Sequence, residues 1–157
     1  MTPSVVFGLP RPEADYLREL VEQYLELVTT PDDPRDPAAR RLSPDAYPDD
    51  PDAAAEFREL TRDDLAATRA ADARLMLAAL SSPHDHEGDT EPAAILTLAL
   101  DAREQTAWLR TLAGLRLVLA ERIGISDESI MPVGDPRFDV YEWLGYRQEM
   151  LLQSLDA

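Results

Sequence analysis

The chain contains no cysteine, no lysine and no asparagine, and only ten of its 157 residues are aromatic. Without cysteine there can be no disulfide staple, no thiolate metal ligand and no thiol nucleophile in this chain. No apolar run approaches the ~18 residues that a membrane span needs; the longest uninterrupted one is Leu75 to Leu80. Met1-Thr2-Pro3-Ser4 lacks the basic start of a secretory signal. These absences lead to the expectation of a soluble, cytoplasmic protein with no membrane partner. A chain of this length can bury roughly 70% of its unfolded surface, so a single domain over residues 1–157 is expected to fold without metal or covalent cross-links.

What is present is acid. Thirty-one aspartates and glutamates face fifteen arginines, for a formal charge of −16. The lack of lysine and asparagine beside 22 alanines and 23 leucines reads as the codon drift of a GC-rich genome and not as an arginine-specific function. A surface this negative repels phosphate backbones and acidic lipids. Duplex DNA binding needs a basic stripe, and the one adjacent arginine pair, Arg40-Arg41, lies in an acidic stretch. Nucleic acid is therefore disfavoured as a partner.

Ser4 to Leu9 is β-branched and aromatic, which suits a strand. Pro10 and Pro12 then prepare a helix, with Leu17, Leu20, Val21, Tyr24, Leu27 and Val28 on one stripe. Residues 30–50 form a Pro/Asp-rich loop in which a continuous helix is excluded. Asp50-Pro51 is a helix start. Thr61-Arg62-Asp63-Asp64 resembles a capping box opening a separate helix to about Ser81, with Leu65, Thr68, Asp72, Leu75, Met76, Ala79 and Leu80 on its inner face. Residues 81–92 form a polar loop. Ile95 to Leu100 suits a strand or the first turns of a helix. Asp101 and Glu104 make a capping pair for a helix carrying Trp108, Leu112 and Leu115, and Gly124 fits its end. Asp135-Pro136 starts the last helix, with Tyr141, Leu144, Gln148, Leu151 and Leu155 inward.

A faint repeat bears on the ambiguous segment. Phe7-Gly8-Leu9 followed by Glu13 parallels Leu98-Ala99-Leu100 followed by Glu104, and Tyr16-Leu17 parallels Trp108-Leu109 after a one-residue slip. The expected fold is therefore mainly α: a single-domain bundle of about five helices, with a small two-stranded sheet joining residues 4–9 to 95–100.

Three constellations carry chemical interest. His84-Asp85-His86-Glu87 offers imidazoles and carboxylates to zinc, nickel or manganese. With no third histidine it is a weak metal candidate beside the plainer reading of a solvated loop, and no cofactor is expected. Arg69 and Asp72 meet at i and i+3 on a helix; they read as a structural ion pair that fixes packing, or else as a small-anion or acid–base site. Trp143, Tyr146 and Arg147 sit beside the core face of the last helix. Exposed residues of these types dominate binding hot spots, so they are interaction candidates for a protein partner or for self-association. No phosphate-cradling glycine loop, Gly-x-Ser-x-Gly elbow or paired-histidine helix is present. No catalytic residue is assigned, and the chain reads as a non-enzyme.

Three blocks in order carry a resemblance: Arg41-Leu42-Ser43-Pro44-Asp45-Ala46-Tyr47-Pro48-Asp49-Asp50-Pro51 continuing to Glu56-Phe57-Arg58; Ala107-Trp108-Leu109-Arg110-Thr111-Leu112; and Tyr141-Glu142-Trp143-Leu144-Gly145-Tyr146. They resemble an actinobacterial family, the domain of unknown function numbered two thousand and seventeen, over about residues 5 to 155. The resemblance implies genes that neighbour that of a Clp-protease adaptor, hence an accessory role in regulated proteolysis. It also implies a transcriptional-regulator label for some members, and supplies no catalytic positions. The expected function is an acidic interaction or regulatory protein. The alternatives are a transcriptional regulator or a small-molecule or metal-binding enzyme.

Overall fold

The structure, a computed structural model, describes residues 5–30, 49–81, 95–124 and 136–155. In chain order these form β1 (Val5–Pro10), α1 (Arg11–Thr29), α2 (Pro51–Leu80), β2 (Ile95–Leu100), α3 (Ala102–Ile123) and α4 (Pro136–Leu155). The mainly α bundle with a minor sheet is the architecture expected from the sequence. Most of the two loops at 30–50 and 81–92, with Arg40, Arg41, His84 and His86, lies outside the described residues.

Residues 95–100 are strand. β1 and β2 pair antiparallel from Val5↔Leu100 to Pro10↔Ile95, with Phe7 opposite Leu98. The two residues that the repeat equates thus face each other at its centre. Alternation puts Phe7, Leu9, Leu98 and Leu100 inward, all buried, and leaves Val6, Gly8, Thr97 and Ala99 outward. Two strands alone are marginal; here the inner face is sealed by Trp108, whose ring meets Phe7 edge-on at 5.8 Å and 75°.

Local chemistry sets the helix ends. The Asp50 side chain accepts from the Ala53 N–H at 3.1 Å. Asp101 and Glu104 close a reciprocal capping box, with Glu104 N–H to Asp101 at 2.8 Å and Asp101 N–H to Glu104 at 3.3 Å. Gly124 ends α3 in the left-handed region at φ 86°, which a residue with a Cβ reaches only at a cost. The Arg137 guanidinium on α4 donates to the carbonyl of Arg122 at 3.1 Å, so the last turn of α3 is capped from its neighbour.

α1 packs on α2, α2 on α3 and α3 on α4. Two expectations about α2 are corrected. Thr61 does not open a new helix, because residues 51–80 form one helix of 30 residues. Its inner face is also only partly the expected one: Met76 and Leu80 are buried as expected and Ala79 packs against the core, but Thr68 is exposed and Ala70 and Ala73 are buried beside them. The positions that α2 buries include two small alanines, whereas the bulkier Leu65 and Leu75 are only part-buried. Buried side chains from every element then join one core.

Candidate functional site

The surface with the most concentrated chemistry lies where the first turns of α1 meet α4. Pro12 in the first turn of α1 fixes its entry, and one turn of helix then places Glu13 and Tyr16 toward α4. On α4, Trp143 and Arg147 are one turn apart and both reach Glu13. The indole N–H of Trp143 donates to Glu13 Oε1 at 2.6 Å, and Arg147 Nη2 donates to Oε2 at 2.6 Å. The Arg147 side chain is only 14% exposed and that of Glu13 32%, so the carboxylate is part-shielded from water and both its oxygens are engaged. The Arg147 guanidinium also lies 5.6 Å from the Tyr146 ring and 6.0 Å from the Phe7 ring.

This latch holds an aromatic surface in place. Tyr16 lies 6.1 Å from Trp143, with the rings tilted by 49°. Tyr146 is 57% exposed, Tyr16 42% and Met150, one turn beyond Tyr146, 37%. Exposed carboxylates flank it: Asp15 and Glu19 on α1, Glu142 and Glu149 on α4. Of the three residues singled out from sequence, Tyr146 faces solvent, while Trp143 and Arg147 are half-buried and fixed from behind. Glu13, Tyr16 and Met150 escaped notice. In the sequence Glu13 and Tyr16 stand out only as members of the repeat, which says nothing of α4.

Arg69 and Asp72 belong to a different cluster, where the structure gives each its own partner. Asp72 Oδ2 lies 3.7 Å from Arg110 Nη1 on α3, with side-chain exposures of 13% and 62%. Arg69 donates toward the hydroxyl of Tyr24, a buried residue of α1. Burial pushes the Tyr24 phenol above its ordinary 10.0; Arg69 opposes this, and the Asp72 charge adds to it. The cluster thus links α1, α2 and α3 through polar groups.

A half-open groove of about 400 Å³ lies between α1 and α3, lined by Leu20, Tyr24, Leu27, Leu115, Val118 and Leu119 together with Gln23, Glu26, Thr30 and Arg122. Among the described residues no group of three or more histidines, aspartates or glutamates comes together to hold a metal ion. The candidates His84 and His86 lie outside those residues. Among the described residues no helix is long and apolar enough to cross a membrane.

Comparison with known proteins adds the lineage. A Mycobacterium leprae (strain TN) protein with the provisional name oxidative stress regulator AosR is 35% identical over 142 residues, covering 79% of this chain and 60% of that protein. The chain therefore spans about 60% of the length of the curated relative it matches. No solved structure matches. The family model described as Domain of unknown function (DUF2017) matches residues 2–155, and with almost every residue covered the chain belongs to that family.

Proposed function

We propose that the protein is a non-enzymatic, cytoplasmic regulatory protein that works by docking another protein on the α1–α4 surface. The observation that carries this reading is the exposed trio Tyr16, Tyr146 and Met150 around a Trp143 already immobilised by Glu13. Interfaces draw their affinity from aromatic, methionine and arginine side chains that are rigid before binding, because little side-chain entropy is then lost on contact. The relative's name supports stress regulation as the setting, ahead of an accessory role in regulated proteolysis. The chain has no cysteine, so its part in an oxidative response is that of an effector or adaptor and not of a thiol sensor. Its charge of −16 argues against duplex DNA as what it docks.

The test is genetic and structural together. The gene is deleted in its actinobacterial host and complemented with the native chain or with Tyr146→Asp, a change at an exposed position that leaves the core intact. Survival under peroxide is then measured. Loss of complementation by a variant with native circular dichroism and melting temperature is the expected result. Full complementation by Tyr146→Asp overturns the reading.

A further inference from the structure

The character of the docked partner follows from the charges around the surface. On α4, Glu142, Tyr146, Glu149 and Met150 share one exposed stripe at helical spacing. On α1, Glu19 lies one turn from Tyr16, and Asp15 adjoins it. The aromatic and thioether centre is therefore bracketed on both helices by carboxylates that face solvent. Arg147, a cation at the centre of this surface, is already held by Glu13 at 2.6 Å and shielded. An apolar centre bracketed by exposed carboxylates matches a segment with the reverse pattern.

We infer that the α1–α4 surface receives a cationic amphipathic helix of a partner protein. In such a segment leucine-like side chains would cover Tyr16, Tyr146 and Met150, and lysines or arginines would meet Glu19, Glu142 and Glu149. Unbranched methionine adapts to irregular apolar surfaces, and the open face of Tyr146 accepts a cation. A second copy of this chain is a poor occupant, since each copy would bring the same ring of carboxylates and the same charge of −16. The inference rests on the docking role proposed above and specifies the chemistry of what docks.

The probe is a synthetic helix-forming peptide of leucine and lysine in amphipathic order. Its controls are a scrambled peptide of the same composition and a counterpart with glutamate for lysine. Binding to the full chain is followed by amide chemical shifts and by calorimetry over a salt series. The expected result is shift changes centred on residues 15–20 and 142–150, affinity that falls with salt, and weak binding of both controls. Tyr146→Ala and Met150→Ala together lower affinity about tenfold or more, the scale of a hot-spot truncation. Glu142→Gln with Glu149→Gln weakens binding and flattens its salt dependence.

Shifts centred on another acidic face, equal binding of the scrambled or acidic peptide, or unchanged affinity in the Tyr146/Met150 double variant overturn the inference. So does a concentration-dependent dimer that buries the same residues. Failure of complementation by Tyr146→Asp alongside any of these results leaves the docking surface standing and removes only the cationic helix. Full complementation removes the docking role itself.

Discussion

The hydroxyl of Tyr24 on α1 lies where a Cβ on Gly114 of α3 would have to sit. The ring atoms follow close behind, at 2.8 and 3.0 Å from that position. Both residues are buried, and Arg69 engages the hydroxyl from α2, so the ring must leave that contact to make room. Gly114→Ala should therefore destabilise the protein by about 1–2 kcal/mol, the overpacking cost exceeding the ~1 kcal/mol that alanine gains over glycine in a helix. Urea titration measures this, and Tyr24→Phe combined with Gly114→Ala should recover part of the loss, because the nearest obstructing atom is gone.

The same tyrosine sets an alkaline limit. Its folded pKa is raised from the ordinary 10.0, chiefly by burial. The folded state then keeps its phenolic proton at pH values where the unfolded chain has lost it. The sign is thus a stability contribution fully present below pH 10 that is lost as pH rises through the folded pKa. Tyr24→Phe should flatten the fall in melting temperature above pH 10. Ultraviolet absorbance of tyrosinate should show one phenol, absent from Tyr24→Phe, that ionises above the ordinary tyrosine value.

Glu13 is the keystone of the α1–α4 surface. Glu13→Ala removes acceptors from both Trp143 and Arg147 and leaves a shielded guanidinium uncompensated. A cost of about 2–4 kcal/mol is expected, with a red-shifted component in tryptophan emission as Trp143 loosens. Glu13→Gln keeps an acceptor for one donor and should fall between the native chain and Glu13→Ala.

Thr111 offers a gain. Among the described residues its buried hydroxyl has no hydrogen-bond partner, and neither has the Trp108 indole N–H one turn away on α3. Replacing the hydroxyl by a methyl group of similar shape removes an uncompensated desolvation, so Thr111→Val should stabilise by about 0.5–1.5 kcal/mol. Thermal unfolding decides this; a lowered melting temperature would show that a water or another group satisfies the hydroxyl.

Much of the fold was legible because its signals are local. Asp101 and Glu104 form their capping box within four residues, and Gly124 adopts the backbone that only a helix end requires. The repeat about Phe7 and Leu98 pointed to strand where periodicity alone was indecisive. Thr61 misled for the same local reason: its capping pattern was sound, but a helix already under way from Pro51 needs no new start, since propagation is easier than nucleation. Ala70 and Ala73 were missed on the inner face of α2, beside the correctly placed Met76 and Leu80, because alanine contributes little to a hydrophobic count. The α1–α4 latch was least legible. Glu13 meets its partners 130 and 134 residues away, and no spacing rule spans that distance.

The antiparallel ladder joins Val5–Pro10 to a strand roughly 90 residues later, which makes it a late event in biosynthesis, when chains grow at about 5–20 residues per second. Phe7 and Leu9 leave the ribosome with no strand to pair with, followed by an α1 whose apolar stripe has nothing to cover it. For some seconds the nascent protein offers an uncovered apolar segment to whatever chaperone is near. A product truncated before Ile95 would keep that segment permanently bare and invite degradation, so a ribosome stalled midway leaves a fragment that quality control can tell from the finished molecule.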